Sequence, residues 1–296
     1  MDWKEKLVAL YLLVSESEGI KKHITTFRQS NNYHPDFTDE EVMTIYLFGI
    51  MQKQFTVKAI HQYAYNHLPD WFPKIPKYEA FNARVTQLSC AFEILIKETL
   101  NQAHATALFK DFSIIDSMPI IVAKGSRSSN ARSAKEICNK GYCSSKDMYY
   151  YGLKFHFIGH ARHHKIPFPE CCWITPAEEN DLTAARPVLK VCYNRNLVGD
   201  KIYADAELSK QLRTQQNVEL ITPIKKKKGQ LLLDAADELY STAVSKIRQP
   251  IESFFNWINE KTYLQIAHKI RSKDGLLTHV YGKLAAAFIC LIYFNS

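Results

Sequence analysis

Three carboxylates in this sequence sit where carboxylates need a reason. Asp116 lies inside the apolar run "FSIIDSMPI" (112–120), flanked by Ile114, Ile115 and Ile120. An ionised carboxylate in an apolar strand is costly unless it is paired, hydrogen-bonded or bound to a metal. Asp200 closes a second apolar run, "NLVGDKIYAD" (196–205), and Gly199 precedes it. A glycine there lets another group approach the backbone closely. Glu252, in "SKIRQPIESFFNWINEK", stands beside a helical stripe of Ile247, Ile251, Phe254 and Ile258,. Arg248 is one turn earlier on its face, and Pro250 marks a first turn or a kink. Two strand-end aspartates and a helix glutamate offer the oxygen ligands that Mg²⁺ prefers. Two such ions, about 3.5–4 Å apart, activate an attacking oxygen and stabilise a leaving one in phosphodiester chemistry.

Each carboxylate also has a plainer explanation. Aspartates near strand ends serve as turn or cap residues, and an Arg248–Glu252 helix pair accounts for the glutamate. Asp111 and Asp205 rival the two aspartates, and Glu260 rivals Glu252. Asp116 is preferred because it lies within its apolar run, whereas Asp111 sits at the polar edge. Glu252 is preferred because Glu260 is followed by Lys261 and Thr262, near a helix end.

The elements that must position these residues fall into two parts. Residues 1–107 read as helices, forming a small helical accessory domain, to which the resemblance given below adds a DNA-binding role. Trp3, Leu7, Leu10 and Val14 are at helical spacing,. Thr38 and Glu41 have capping-box form. A helix covers about 55–67, three prolines interrupt the pattern, and one long helix carries Phe81, Val85, Leu88, Phe92 and Leu95,. Residues 108–296 form the second domain. Strand-like runs cover 112–123, 150–160, 170–177, 196–205 and 218–224, with a helix, "LTAARPVLKVCYN", between the third and fourth. Three antiparallel strands followed by βαβ crossovers is the layout of an RNase H-like mixed five-stranded sheet flanked by helices, an α/β architecture.

Between the first two strands lies the polar segment "KGSRSSNARSAKEICNKGYCSSK", too long for a hairpin turn,. Seven Lys or Arg face two acids from Lys124 to Lys154. Lys124, Arg127 and Arg132 are therefore candidates for phosphate contact. The run "KKKK" (225–228) fits a DNA-facing loop or a solvated turn. "HARHHKIPFPECC" gathers His160, His163, His164, Cys171 and Cys172, but matches no standard zinc spacing,. A basic hairpin turn before a buried strand explains it. Asp181 reads as a cap for the following helix. Trp257 reads as a core tryptophan, with base stacking as the alternative.

A net charge of +8 favours polyanionic partners such as nucleic acid,. An odd set of seven cysteines without a C-x-x-C pair reads as free thiols in a reducing, cytoplasmic setting,. The apolar run at 284–294 is too short to span a bilayer and reads as a buried helix without a membrane partner.

"IIDSMPI", "GLKFHF", "ITPAEENDLTAARPVL", "VGDKIYAD", "ELITPIKKKK" and "RQPIESFFNWI" occur in the order found in DDE transposases of bacterial insertion sequences. The chain resembles that family from about residue 110 to its C-terminus, and more weakly through its helical part. The resemblance implies an RNase H-like catalytic domain of the retroviral-integrase superfamily. It also implies a site for Mg²⁺ or Mn²⁺ in which Asp116, Asp200 and Glu252 are both the catalytic residues and the metal ligands. It implies binding to terminal inverted repeats, hydrolysis at the element's ends and transfer of the freed 3′-hydroxyl to target DNA by a homodimer on double-stranded DNA. The interval from Asp200 to Glu252 leaves no room for the insertion domain of some relatives. Around the glutamate, Arg248 matches the Y-x2-R-x3-E-x6-K pattern, but Ser245 and Asn259 replace its Tyr and Lys, and Lys261 falls two residues late. The resemblance implies that Arg248 contacts DNA or orients Glu252, and Lys261, out of register with the motif, is the candidate DNA contact in place of its lysine. A nuclease that cuts without joining and an inactive DNA-binding derivative are the alternatives.

Overall fold

The computed structural model describes residues 1–28, 35–106, 112–226, 229–230 and 232–294. Asp111, Lys227 and Lys228 lie outside the described residues. The chain forms two compact units, one of 1–106 with 258–296 and one of 107–257.

The first unit is helical: α1 (Trp3–Glu16), α2 (Glu18–Arg28), α3 (Asp39–Met51), α4 (Val57–His67), α5 (Tyr78–Gln87) and α6 (Ser89–Thr106). The Thr38–Glu41 capping box starts α3, each side chain accepting the other's backbone N–H,. Leu7, Leu10 and Val14 are buried on α1, as their spacing predicts, while Trp3 remains half exposed. The long helix expected to carry Phe81 to Leu95 is two helices, broken at Leu88, the C-cap of α5. Its five apolar residues are nevertheless all buried. Periodicity survives a one-residue break, so the pattern conceals it.

The helical unit also takes the end of the chain. The expected second domain ran to residue 296, but the segment from Ile258 packs with the N-terminal helices. Its main element is α10 (Lys273–Ile289), followed by a π-helical turn at Cys290–Phe294. The stretch Lys273–Phe294 passes for a membrane span by length and composition, yet 72% of its apolar window is buried inside the protein.

Among the described residues the second unit holds six strands: β1 (Phe112–Lys124), β2 (Asn139–Cys143), β3 (Met148–Arg162), β4 (Lys165–Pro176), β5 (Arg195–Val198) and β6 (Val218–Ile221). The order is β2-β3-β1-β5-β6, with β4 also pairing β3. β3 is 15 residues long and pairs β2 through Met148–Gly152 and β4 from Leu153 onward. Omitting β2 leaves three antiparallel strands joined to two parallel ones, the RNase H-like mixed sheet. β2 is the unexpected sixth strand. It forms within the basic segment, which the alternating pattern of a half-buried edge strand did not betray.

Helices α7 (Asp181–Leu189) and α8 (Ala206–Gln216) make the crossovers. Their Ala185, Leu189, Leu208 and Leu212 form one buried cluster with Ile115, Ile158, Leu197, Tyr203 and Val218. Phe254 and Phe255 of α9 (Ala235–Thr262) meet Phe157 and Phe155 of β3. The buried stripe of α9 is Val244, Ile251, Phe254 and Ile258, whereas Ile247, expected in the stripe, is exposed. Val244 takes the position seven residues before Ile251, nearly two full turns away. Pro250 lies inside the 28-residue helix rather than in its first turn.

Candidate active site

Parallel pairing of β1 with β5 matches Ile114 with Val198. Asp116 and Asp200 each stand two residues beyond that pair, on neighbouring chain segments running the same way. β5 ends before Asp200, which instead caps a 3₁₀ turn (Lys201–Tyr203) by accepting the Lys201 N–H at 2.7 Å. The cap that sequence reasoning set against a functional aspartate is therefore real, and it leaves the other carboxylate oxygen available. Gly199 before it is buried, and a Cβ there would meet the Tyr203 ring at 2.9 Å and Ile115 at 3.0 Å. The close group that a glycine allows is this ring.

Asp116 retains 18% of its side-chain exposure. Its Oδ1 accepts the Ser117 N–H at 2.8 Å, and its Oδ2 accepts Arg248 Nη1 at 2.5 Å. Burial pushes the Asp116 carboxyl up to about 6, against the pull of Arg248 and the Ser117 N–H; Asp200 and Asp181 raise it further,. The same guanidinium gives Nη2 to Glu252 Oε1 at 3.2 Å. Arg248 thus bridges Asp116 and Glu252. The helix pair foreseen as a bland explanation exists, and it reaches a strand aspartate as well.

Phe157 is the residue across from Asp116 on β3. It stacks on Phe254 at 4.0 Å between centroids, which anchors α9 two residues after Glu252. Half-buried Trp257 stacks on Phe254 in turn.

Two groups near the carboxylates escaped sequence reasoning. Tyr203 is fully buried, and its hydroxyl has no hydrogen-bond partner among the described residues. Burial holds it well above its ordinary value, and Asp116, Asp181 and Asp200 add to the rise. Lys154 on β3 donates to Asp181 Oδ1 at 2.9 Å and to the Glu179 carbonyl at 2.7 Å. A lysine inside "GLKFHF" was the available signal for that pair. Asp181 is consequently not the helix cap: Asn180 accepts the N–H groups of Leu182 and Thr183. Of the rival aspartates, Asp205 caps α8 and pairs with Arg186.

The other predicted positions are spread out. Lys124 ends β1, Arg127 lies in the 3₁₀ turn Gly125–Ser129, and Arg132 follows it; all three are exposed. Lys261 and Glu260 are in the last turn of α9, within the helical unit. His163 and His164 form the β3–β4 turn, as a hairpin reading requires. Lys225 donates to the Ala204 carbonyl at 2.9 Å.

The oxygen donors suit a hard cation. Among the described residues, however, no three His, Cys, Asp or Glu side chains are grouped closely enough to hold one. Asp116 and Glu252 are linked through a guanidinium instead.

Comparison with known proteins adds two findings. The family described as "Transposase DDE domain" matches residues 106–273. A solved structure, "Cryo-EM structure of piggyBac transposase synaptic complex with hairpin DNA", aligns with a TM-score of 0.56 at 9% identity. That alignment covers 98% of this chain and 75% of the other, and at such identity it speaks for the fold alone. No curated protein matches. The chain belongs to the transposase DDE domain family, and with it to the metal-dependent enzymes that cut or transfer DNA.

Proposed function

We propose that the protein is a transposase that binds the terminal inverted repeats of its own element, hydrolyses the phosphodiester bond at each end, and transfers the freed 3′-hydroxyl to target DNA. The observation that carries this reading is the placement of Asp116 and Asp200 two residues past one parallel pair, with Glu252 tied to Asp116 through Arg248. Asp116, Asp200 and Glu252 are the catalytic residues and would hold Mg²⁺ or Mn²⁺. When bound, such an ion activates an attacking oxygen and offsets charge on the leaving one.

The chain's own residues supply position and charge. The Ser117 N–H fixes one Asp116 oxygen, and the Lys201 N–H fixes one Asp200 oxygen. Phe254 on Phe157 sets the height of Glu252 over the strand. Exposed Lys124, Arg127 and Arg132 lie on one chain segment running out from β1, suited to a phosphate backbone. Arg248 and Lys261 are further DNA contacts. The acting form is a homodimer on double-stranded DNA, since two ends must be joined, and the setting is the cytoplasm.

The test is cleavage of a labelled duplex carrying the terminal repeat, in Mg²⁺ or Mn²⁺, by wild type and Asp116→Asn. Metal-dependent nicking at the repeat end that vanishes in the variant, with binding retained, is the expected result. A strand-transfer assay with pre-cut ends separates a transposase from a nuclease that only cuts. Repeat binding without cleavage by either protein sinks the catalytic reading.

A further inference from the structure

Among the described residues the donors do not group as the metal site that the family implies, and Arg248 stands between two of them, Asp116 and Glu252. We infer that the Arg248 guanidinium is a resident counter-charge in this site, which a divalent cation must displace before Asp116 and Glu252 can share it. The inference rests on the catalytic assignment of those two carboxylates.

Three observations carry it. First, one guanidinium spans both carboxylates, at 2.5 Å to Asp116 and 3.2 Å to Glu252. Second, the side chain is drawn inside: it is only 18% exposed, and its buried Nε has no hydrogen-bond partner among the described residues. An orphaned buried N–H carries a desolvation cost, so this position is held by the carboxylates and not by a full set of hydrogen bonds. Third, Arg248 occupies the Asp116 oxygen that the Ser117 N–H leaves open.

A buried carboxylate needs a counter-charge, and losing one partner of such a pair leaves an uncompensated charge. Arg248 meets that need when no ion does. A cation bound to the same oxygen competes for the same lone pairs and is repelled by the guanidinium. The two states therefore exclude one another. The displaced fork lies beside an open face of α9, lined by Glu238, Ser241, Ser245, Lys246, Gln249 and Glu252 as well as by Arg248 itself. From there it can meet a DNA phosphate as a bidentate donor. Metal entry would thus release the residue proposed to contact DNA.

The experiment measures Mn²⁺ binding to the full-length protein without DNA, from the electron paramagnetic resonance signal of free Mn²⁺. Arg248→Gln is expected to bind Mn²⁺ at least about tenfold more tightly than wild type. Arg248→Lys, with one point charge in place of a fork, is expected to fall between. The double variant with Asp116→Asn is expected to lose the gain. Equal or weaker binding in Arg248→Gln overturns the inference, as does absence of Mn²⁺ binding in every variant. If Arg248→Gln does not fold, Arg248→Lys decides alone, and affinity equal to wild type overturns the idea. Nicking of the terminal repeat is scored separately. Tighter Mn²⁺ binding in a protein that never nicks keeps the counter-charge role and removes the transposase chemistry. Unchanged binding with metal-dependent nicking does the reverse.

Discussion

Phe157 and Phe254 stack with their ring centroids 4.0 Å apart, and this contact joins the strand partner of Asp116 to the helix of Glu252. Both rings are fully buried. Aromatic pairs of this kind stabilise beyond their buried area.

Phe254→Ala is therefore expected to cost about 3–5 kcal/mol of stability. Phe254→Leu should cost less, and it should lose nicking more than it loses DNA binding, because Glu252 and Arg248 would be less firmly placed. Urea unfolding midpoints and gel-shift titrations on the same variants check this. A Phe254→Leu protein that nicks like wild type would show that the ring is not needed to place the glutamate.

Gly199 makes a second such prediction. A methyl group there meets the Tyr203 ring and Ile115, both fixed in the core. Gly199→Ala should destabilise by about 1–3 kcal/mol through overpacking. Because Asp200 is the next residue, nicking should fall further than stability alone explains. The measurement is the nicking rate well below the unfolding temperature. A normal rate would detach Asp200 from its neighbour's packing.

Lys283 supplies a pH prediction in the helical unit. It is buried on α10, donates to the Tyr263 carbonyl at 3.2 Å, and sits 5.9 Å from the Phe55 ring centroid. Burial pushes its ammonium down to about 7 from an ordinary 10.5. The folded state thus disfavours the proton that the unfolded chain keeps. The penalty is complete below about pH 7, shrinks as pH rises towards 10.5, and is gone above it. Stability should climb through that window, since the unfolded state binds more protons there. Buried His279, hydrogen-bonded to the Leu264 carbonyl at 2.9 Å and held well below 6.5, adds a fall in stability on the acid side.

Lys283→Met should accordingly be more stable than wild type at pH 7 by a few kcal/mol, at roughly 1.4 kcal/mol per pKa unit. The difference should close by about pH 10.5. Denaturant titrations at pH 6, 8 and 10 follow it. An equal gap at all three values would mean that Lys283 acts through packing and not through its proton.

Much of this was legible in the chain itself. Strand runs around Asp116 and Asp200 were visible because apolar residues cluster where a sheet is covered on both faces. The capping box at Thr38 and Glu41 was visible because its chemistry is local. What stayed hidden needed partners distant in sequence. β2 forms only because β3 is long enough to pair twice along one edge. The choice of Val244 over Ile247 for the buried stripe depends on which side of α9 the sheet lies. The C-terminal helices join the N-terminal ones because a face of apolar residues does not name its partner.

The same division runs through the candidate site. The sequence by itself determined which residues could do the chemistry: a carboxylate inside an apolar strand needs a counter-charge, and that follows from residue type alone. It also determined the Arg248–Glu252 pair, because four residues on a helix make one turn. Only the tertiary structure decided that the same arginine reaches Asp116, 132 residues away in the chain. Antiparallel pairing of β1 with β3 and the Phe157–Phe254 stack fix that distance, and no local propensity encodes it.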